Sequence, residues 1–215
     1  MRTKLRPRIS MAAAGASAAA ALLVACSTPT TETNVWKSPT YAAGPMKNIA
    51  VFAGQMNESD RRTLEDGFVS SLARSGAHAI ASYTIFPQSE APPDAASIRA
   101  KLQSAGYDGA LVSTLKGVSD QAQVAPGADW AGGFYGAYWG PGAPPAYVQT
   151  DQFVKFETTL WNPSSGKMVW STTTQTENPT SGRDFVASLT GTVVPSLAKA
   201  GLIPSRQGQP VSLSR

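Results

Sequence analysis

The chain has 215 residues, enough for one domain with a sizeable core, and carries 18 Lys and Arg against 14 Asp and Glu. Its single cysteine excludes an intramolecular disulfide, and a single histidine beside it leaves no His/Cys set for a zinc cluster. Four of the basic residues, Arg2, Lys4, Arg6 and Arg8, lie at the extreme N-terminus. The rest of the chain is balanced at 14 basic against 14 acidic residues, with no net electrostatic pull toward nucleic acid.

After that basic start, Met11 to Val24 is uncharged, Ala-rich and tipped with Leu22 and Leu23. The order matches an export signal, and the apolar run is too short to span a bilayer, which takes about 20 apolar residues. Leu23-Val24-Ala25-Cys26 resembles a bacterial lipobox. The resemblance implies a signal peptide over 1–25, cleavage between Ala25 and Cys26, and acylation of Cys26 by a diacylglycerol anchor and palmitate. One acyl chain holds a protein only marginally, whereas several hold it firmly. Ser27 stands where an aspartate favours inner-membrane retention in such lipoproteins. The implied location is the outer membrane, lipid-anchored, on the periplasmic face.

Residues 26–34 are polar and Thr-rich and are expected to form a flexible tether. Val35-Trp36-Lys37 suits a short edge strand stopped by Pro39. Lys47 to Ala53 is a strand candidate, apolar at its centre as a strand covered on both faces would be. Asn57 or Ser59 caps the helix that follows, in which Leu64, Phe68 and Leu72 recur every four residues. Arg61, Arg62 and Glu65 are assigned to its wet side, and Gly76 to its left-handed stop. Ala77 to Phe86 reads as a second strand, ended by Pro87. Asp94 caps a second helix with Ile98 and Leu102 on one face and Gly106 at its end. Gly109 to Leu115 reads as a third strand. The β-α-β-α-β order predicts parallel pairing with right-handed crossovers.

Residues 126–147 then form a Gly/Pro/aromatic insertion containing Trp130, Phe134, Tyr135, Tyr138, Trp139 and Tyr147 and no Lys or Arg. After it, Val154, Phe156, Thr158 and Leu160 alternate with Lys155, Glu157 and Thr159. A turn at 162–166 leads to a Thr-rich return strand with Met168 and Trp170, an antiparallel hairpin. Phe185, Leu189, Val193 and Leu197 mark a final helix from about Ser181 to Ala200, with Pro195 inside it and Gly201 and Pro204 after it. Residues 204–215 are expected to be a loose tail. The fold class is therefore α/β: one periplasmic domain over 35–203, a mixed sheet extended by the hairpin and closed by a C-terminal helix.

Several stretches carry a family resemblance: Lys47-Asn48-Ile49-Ala50-Val51-Phe52, Gly106 to Val112, and Leu160-Trp161-Asn162 through Gly166-Lys167-Met168-Val169-Trp170-Ser171. They are similar to the α/β domain of the TolB amino-terminal region and of curli-secretion-type lipoproteins. A group of bacterial envelope lipoproteins resembles the chain more closely, through Val35-Trp36-Lys37-x-Pro39-x-Tyr41, Ser82-Tyr83-x-x-Phe86-Pro87 and a Gly/Tyr-rich insertion before the hairpin. The resemblance spans about 35–203. It implies a non-enzymatic envelope component and carries over no functional residue.

Chemical signatures are sparse. His78 reads as a satisfied structural histidine, with no Gly-x-Ser-x-Gly nucleophile to join it. The acidic pairs Glu58/Asp60 and Glu65/Asp66 read as helix-dipole and solubility charges. No phosphate-binding glycine motif stands between a strand and a helix. No cofactor, metal site or catalytic residue is expected. The aromatic insertion is the one feature that asks for a role, either as a contact surface, since Trp and Tyr favour interfaces, or as cover for a sheet face. The expected function is a membrane-anchored, non-catalytic binding or scaffolding role in the periplasm, with an envelope protein as partner and no nucleic acid. The alternative is peptidoglycan or glycan binding, even hydrolysis, with the aromatics stacked on sugars and carboxylates near Asp129 or Asp151.

Overall fold

A computed structural model of the protein describes residues 29–86, 94–125 and 147–205. The described strands form one mixed sheet of six, ordered β1-β6-β5-β4-β2-β3. They are β1 (Thr30–Lys37), β2 (Asn48–Gly54), β3 (His78–Ala81), β4 (Gly109–Ala125), β5 (Tyr147–Asn162) and β6 (Lys167–Glu177). The helices are α1 (Glu58–Ser75), the single turn α2 (Ser82–Ile85), α3 (Ala95–Ser104) and α4 (Gly182–Lys199). Strand β2 pairs in parallel with β3 and β4, and the other ladders are antiparallel. The α/β class, the central β-α-β-α-β unit, the late hairpin and the closing helix are all present.

Alternation along the strands decides which helix covers which face. Ile49, Val51, Leu111, Phe156, Leu160 and Trp170 point to one side. There they meet Leu64, Phe68 and Leu72 of α1 and Leu189, Val193 and Leu197 of α4 in the main core. Ala50 and Ala110 point to the other side, where Leu102 of α3 covers them in a smaller cluster with Phe52, Ile80 and Ile98. The cap assignments follow the chemistry of short polar side chains. Asn57 accepts from the Asp60 N–H, Asp94 from the Ser97 N–H and Ser181 from the Asp184 N–H, while Gly76 closes α1 at φ 100°.

Four expectations are corrected. The second strand does not run from Ala77 to Phe86; it stops at Ala81, because Ser82–Ile85 turns into α2. The third strand does not stop at Leu115 but continues to Ala125, with a bulge at Lys116. The segment 26–34 is not all tether, since Thr30–Asn34 belongs to β1 and is zipped to β6 from Thr30↔Thr176 onward. Glu65 is not on the wet side of α1; it is fully buried. The anchor residues Ala25 and Cys26 lie outside the described residues, as do the loop 87–93 and the tail beyond Ser205.

Helices α1 and α4 approach closely at Gly67, where an added Cβ would collide with Cγ1 of Val186. Glycine in a helix interior costs about 1 kcal/mol relative to alanine, and the contact explains why one stands here. Overpacking costs about 1–3 kcal/mol. Gly67→Ala should therefore lower the midpoint of urea unfolding. In a Val186→Ala background, which empties the colliding space, the same substitution should be neutral or stabilising; a double-mutant cycle checks the pair.

Candidate functional site

The extended β4 and β5 make a feature that the sequence pattern does not announce. Their ladder runs without a break in pairing from Ala110↔Trp161 to Ala125↔Tyr147 apart from the bulge at Lys116. Strand β2 supports β4 only as far as Thr114, and β6 supports β5 only from Phe153 onward. Beyond that point, Asp120–Ala125 and Tyr147–Gln152 form a two-stranded arm with no third strand on either edge among the described residues. Asp120, Gln121, Ala122, Thr150 and Gln152 are exposed, and Val118 at its root is 55% exposed.

A polar brace fixes the root. Asp151 is buried on the arm and accepts from Asn178 Nδ2 at 2.8 Å. The Gln152 N–H donates to Asn178 Oδ1 and the Asn178 N–H donates to the Gln152 carbonyl, both at 2.8 Å. Asn178 adopts φ 45°, a left-handed conformation that asparagine tolerates better than most residues. The arm is thereby tied to the turn that leads from β6 into α4. Asp151 is engaged as a structural acceptor.

The candidate contact residues Trp130, Phe134, Tyr135, Tyr138 and Trp139 lie outside the described residues, as does Asp129. Tyr147 is not part of a loop: it opens β5, paired with Ala125. The arm therefore delivers both ends of the aromatic insertion to one place, as cross-strand partners. His78 is exposed at the first residue of β3, with its backbone N–H donating to the Lys47 carbonyl at 2.7 Å. Among the described residues no three His, Cys, Asp or Glu side chains gather as a metal site. No described helix is long and apolar enough to cross a membrane.

Two concavities flank the sheet. One, about 370 Å³, opens at the root of the arm between Asp60 of α1, Val118, Gln152 and Phe185 of α4. The other, about 760 Å³, lies between α3 and the sheet and is lined by Phe52, Ile98, Val112 and Trp161. Its rim is closed by Arg99, which donates to the carbonyls of Pro163 at 2.8 Å and Ser164 at 2.7 Å, with Gln103 adding a second bond to Pro163. Its described lining contains no carboxylate.

Sequence reasoning missed Glu65. Its carboxyl accepts from the Ala53 N–H at 3.0 Å, Ser82 Oγ at 2.7 Å and the Tyr83 N–H at 3.3 Å, with the Arg61 guanidinium 3.8 Å away. One side chain thus holds the end of β2 and caps α2, which has no side-chain cap of its own. The missed signal was spacing: Glu65, Phe68 and Leu72 fall at i, i+3 and i+7, within the buried stripe. Arg61 is held in turn by Glu58 at 2.7 Å, and Glu58 also accepts from Arg62 at 2.6 Å.

No family model and no curated protein sequence matches the chain. Among solved structures it is similar to the PelC dodecamer from Paraburkholderia phytofirmans, at 19% identity and a TM-score of 0.44, covering 83% of this chain and 99% of that one. It is also similar to lipoprotein GNA1162 from Neisseria meningitidis, at 16% identity and 0.42, covering 71% and 99%.

Glu65→Ala leaves two backbone N–H groups and a hydroxyl without their buried acceptor. Each such loss costs about 1–3 kcal/mol, so the variant should lose several kcal/mol in urea unfolding, and Glu65→Gln, which keeps one acceptor oxygen, should lose less. Glu58 gives a pH prediction. Hydrogen bonds from Arg61 and Arg62 lower its pKa from 4.5 to about 2. A depressed carboxyl stabilises the fold above its unfolded value and loses that contribution as pH falls. The melting-temperature gap between the protein and Glu58→Gln should hold steady above pH 5 and shrink between about pH 4.5 and pH 2.

Proposed function

We propose that the chain is a lipid-anchored envelope protein whose role is non-catalytic binding or scaffolding, exercised through the segment that the β4–β5 arm carries. The arm is the observation that supports this reading. A packed body needs no such ribbon, since isolated two-stranded hairpins are marginally stable in water. Here one is braced at its root by Asp151 and Asn178 and extended beyond the last supporting strand. The sequence places six large aromatics at positions 130–147, five beyond the tip and Tyr147 at it.

The anchor reading rests on the lipobox and on Cys26. Attachment to the outer membrane on its periplasmic face follows from Ser27 and belongs to the same proposal. The partner is an envelope protein that takes aromatic side chains into its surface, the mode in which Trp and Tyr dominate interface energetics. Glycan binding through stacked aromatics is the competing outcome of the test.

Cys26→Ala should move the protein from the membrane fraction to the soluble fraction. For the contact, Ala125 and Tyr147 are direct partners, so 126–146 can be replaced by an Asn-Gly turn that suits a two-residue hairpin loop. Cross-linking in cells followed by mass spectrometry should capture one envelope protein with the intact chain and lose it with the Asn-Gly variant. Unchanged capture sinks the contact reading. Loss of binding to isolated peptidoglycan, with no protein captured by either form, favours the glycan reading instead.

A further inference from the structure

The strand register places the N-terminal start of β1 and the root of the arm at the same end of the sheet. Thr30 pairs with Thr176, Thr176 with Val154, and Val154 with Val118. These four residues form one row across β1, β6, β5 and β4. Only Ser27, Thr28 and Pro29 separate Cys26 from that row. Four residue steps reach at most about 14 Å, at about 3.3–3.6 Å each. From the same row β5 continues for seven residues to Tyr147, about 23 Å at about 3.3 Å per residue. The lateral offset between β1 and β5 is two strand spacings, about 10 Å. The arm therefore reaches farther along the strand direction than the tether can.

We propose that this end of the sheet faces a lipid bilayer, with the outer half of the β4–β5 arm set against the lipid headgroups. The inference rests on acylation of Cys26. A bilayer that holds the acyl chains lies within about 14 Å of Thr30, and the arm spans that gap. The chemistry of the arm fixes the depth. Asp120, Gln121, Ala122, Thr150 and Gln152, toward the root of the arm, are small or polar and exposed, and among the described residues the ribbon has no third strand on either edge. Open strand edges are not tolerated in hydrocarbon, so the arm stops in the headgroup layer.

The test uses the full acylated chain in vesicles of phosphatidylethanolamine and phosphatidylglycerol containing a headgroup-attached quencher lipid. Cys26 is the chain's only cysteine, and its sulfur is taken up by the lipid, so an introduced cysteine is the only thiol for a fluorophore. Three single variants are compared: Ala122→Cys on the arm, Val35→Cys on the outer strand β1 and Ser164→Cys on the hairpin turn at the opposite end. Quenching at Ala122→Cys should exceed that at the other two several-fold. Strongest quenching at Val35→Cys means that the domain lies on its β1 edge and overturns the proposal. Strongest quenching at Ser164→Cys overturns it by inversion, and equal weak quenching at all three overturns it by distance. Intact mass and vesicle flotation are read on the same samples. A chain without acyl mass that fails to float overturns the anchor reading, and this inference with it, whereas an acylated floating chain with the wrong quenching pattern overturns this inference alone.

Discussion

A buried carboxyl on α1 holds the parallel half of the sheet together. A polar group out of water needs partners, and a charge needs them more. Glu65 satisfies that need by accepting from the last turn-facing N–H of β2 and from both the hydroxyl and the backbone that begin α2. The other end of β2 is held by Asp108, which accepts from the backbone N–H groups of Lys47 and Asn48 at 2.8–3.1 Å. Carboxyl groups from two different connections therefore clamp the central parallel strand at both ends. The apolar side chains of β2 then face α1 and α4 on one side and α3 on the other without freedom to slip, and a slip of one residue would exchange the two cores.

With β2 fixed, β4 is fixed beside it, and everything on the far side of the sheet follows from β4. Its first half is body, paired with β2 and packed on Leu160. Its second half leaves the body as the arm. Ser113 and Thr158 hydrogen-bond across the β4–β5 ladder within the core, at 3.1 Å. The bulge at Lys116 falls where β2 support ends, and bulges bend and twist the strand that carries them. The Asp151–Asn178 brace then steadies the departure. In this arrangement a packed body carries a braced two-stranded ribbon.

Much of the body was legible in the sequence. The four-residue spacing of Leu64, Phe68 and Leu72, the alternation at Val154 to Leu160 and the cap Asp94 each have one physical reading, and the fold obeys it; of the two candidates Asn57 and Ser59, Asn57 caps α1. The misreadings share a cause. Glu65 looks like a wet-side residue because its partners lie at Ala53, Ser82 and Tyr83, and sequence spacing does not bring these together. The run from Ala77 to Phe86 looks like one strand because β-branched and aromatic residues are frequent in it, and the turn after Ala81 is held by that same Glu65. The arm half of β4 (Gly117, Ser119, Asp120, Gln121) has no apolar periodicity, and among the described residues no helix or third strand covers it. Periodicity reports burial, and where a strand leaves the core it falls silent.

A body closed by β2, β3, β1 and β6 and a ribbon that no other described strand supports should open independently of one another. Native-state amide hydrogen exchange across a urea series tests this directly, because local openings and global unfolding respond differently to denaturant. Residues 110–114 and 156–160 should exchange only through global unfolding, with strong urea dependence, while 120–124 and 148–152 exchange faster and with little urea dependence. A single shared opening free energy along the whole length of β4 and β5 would contradict the account, because the arm would then be part of the cooperative core.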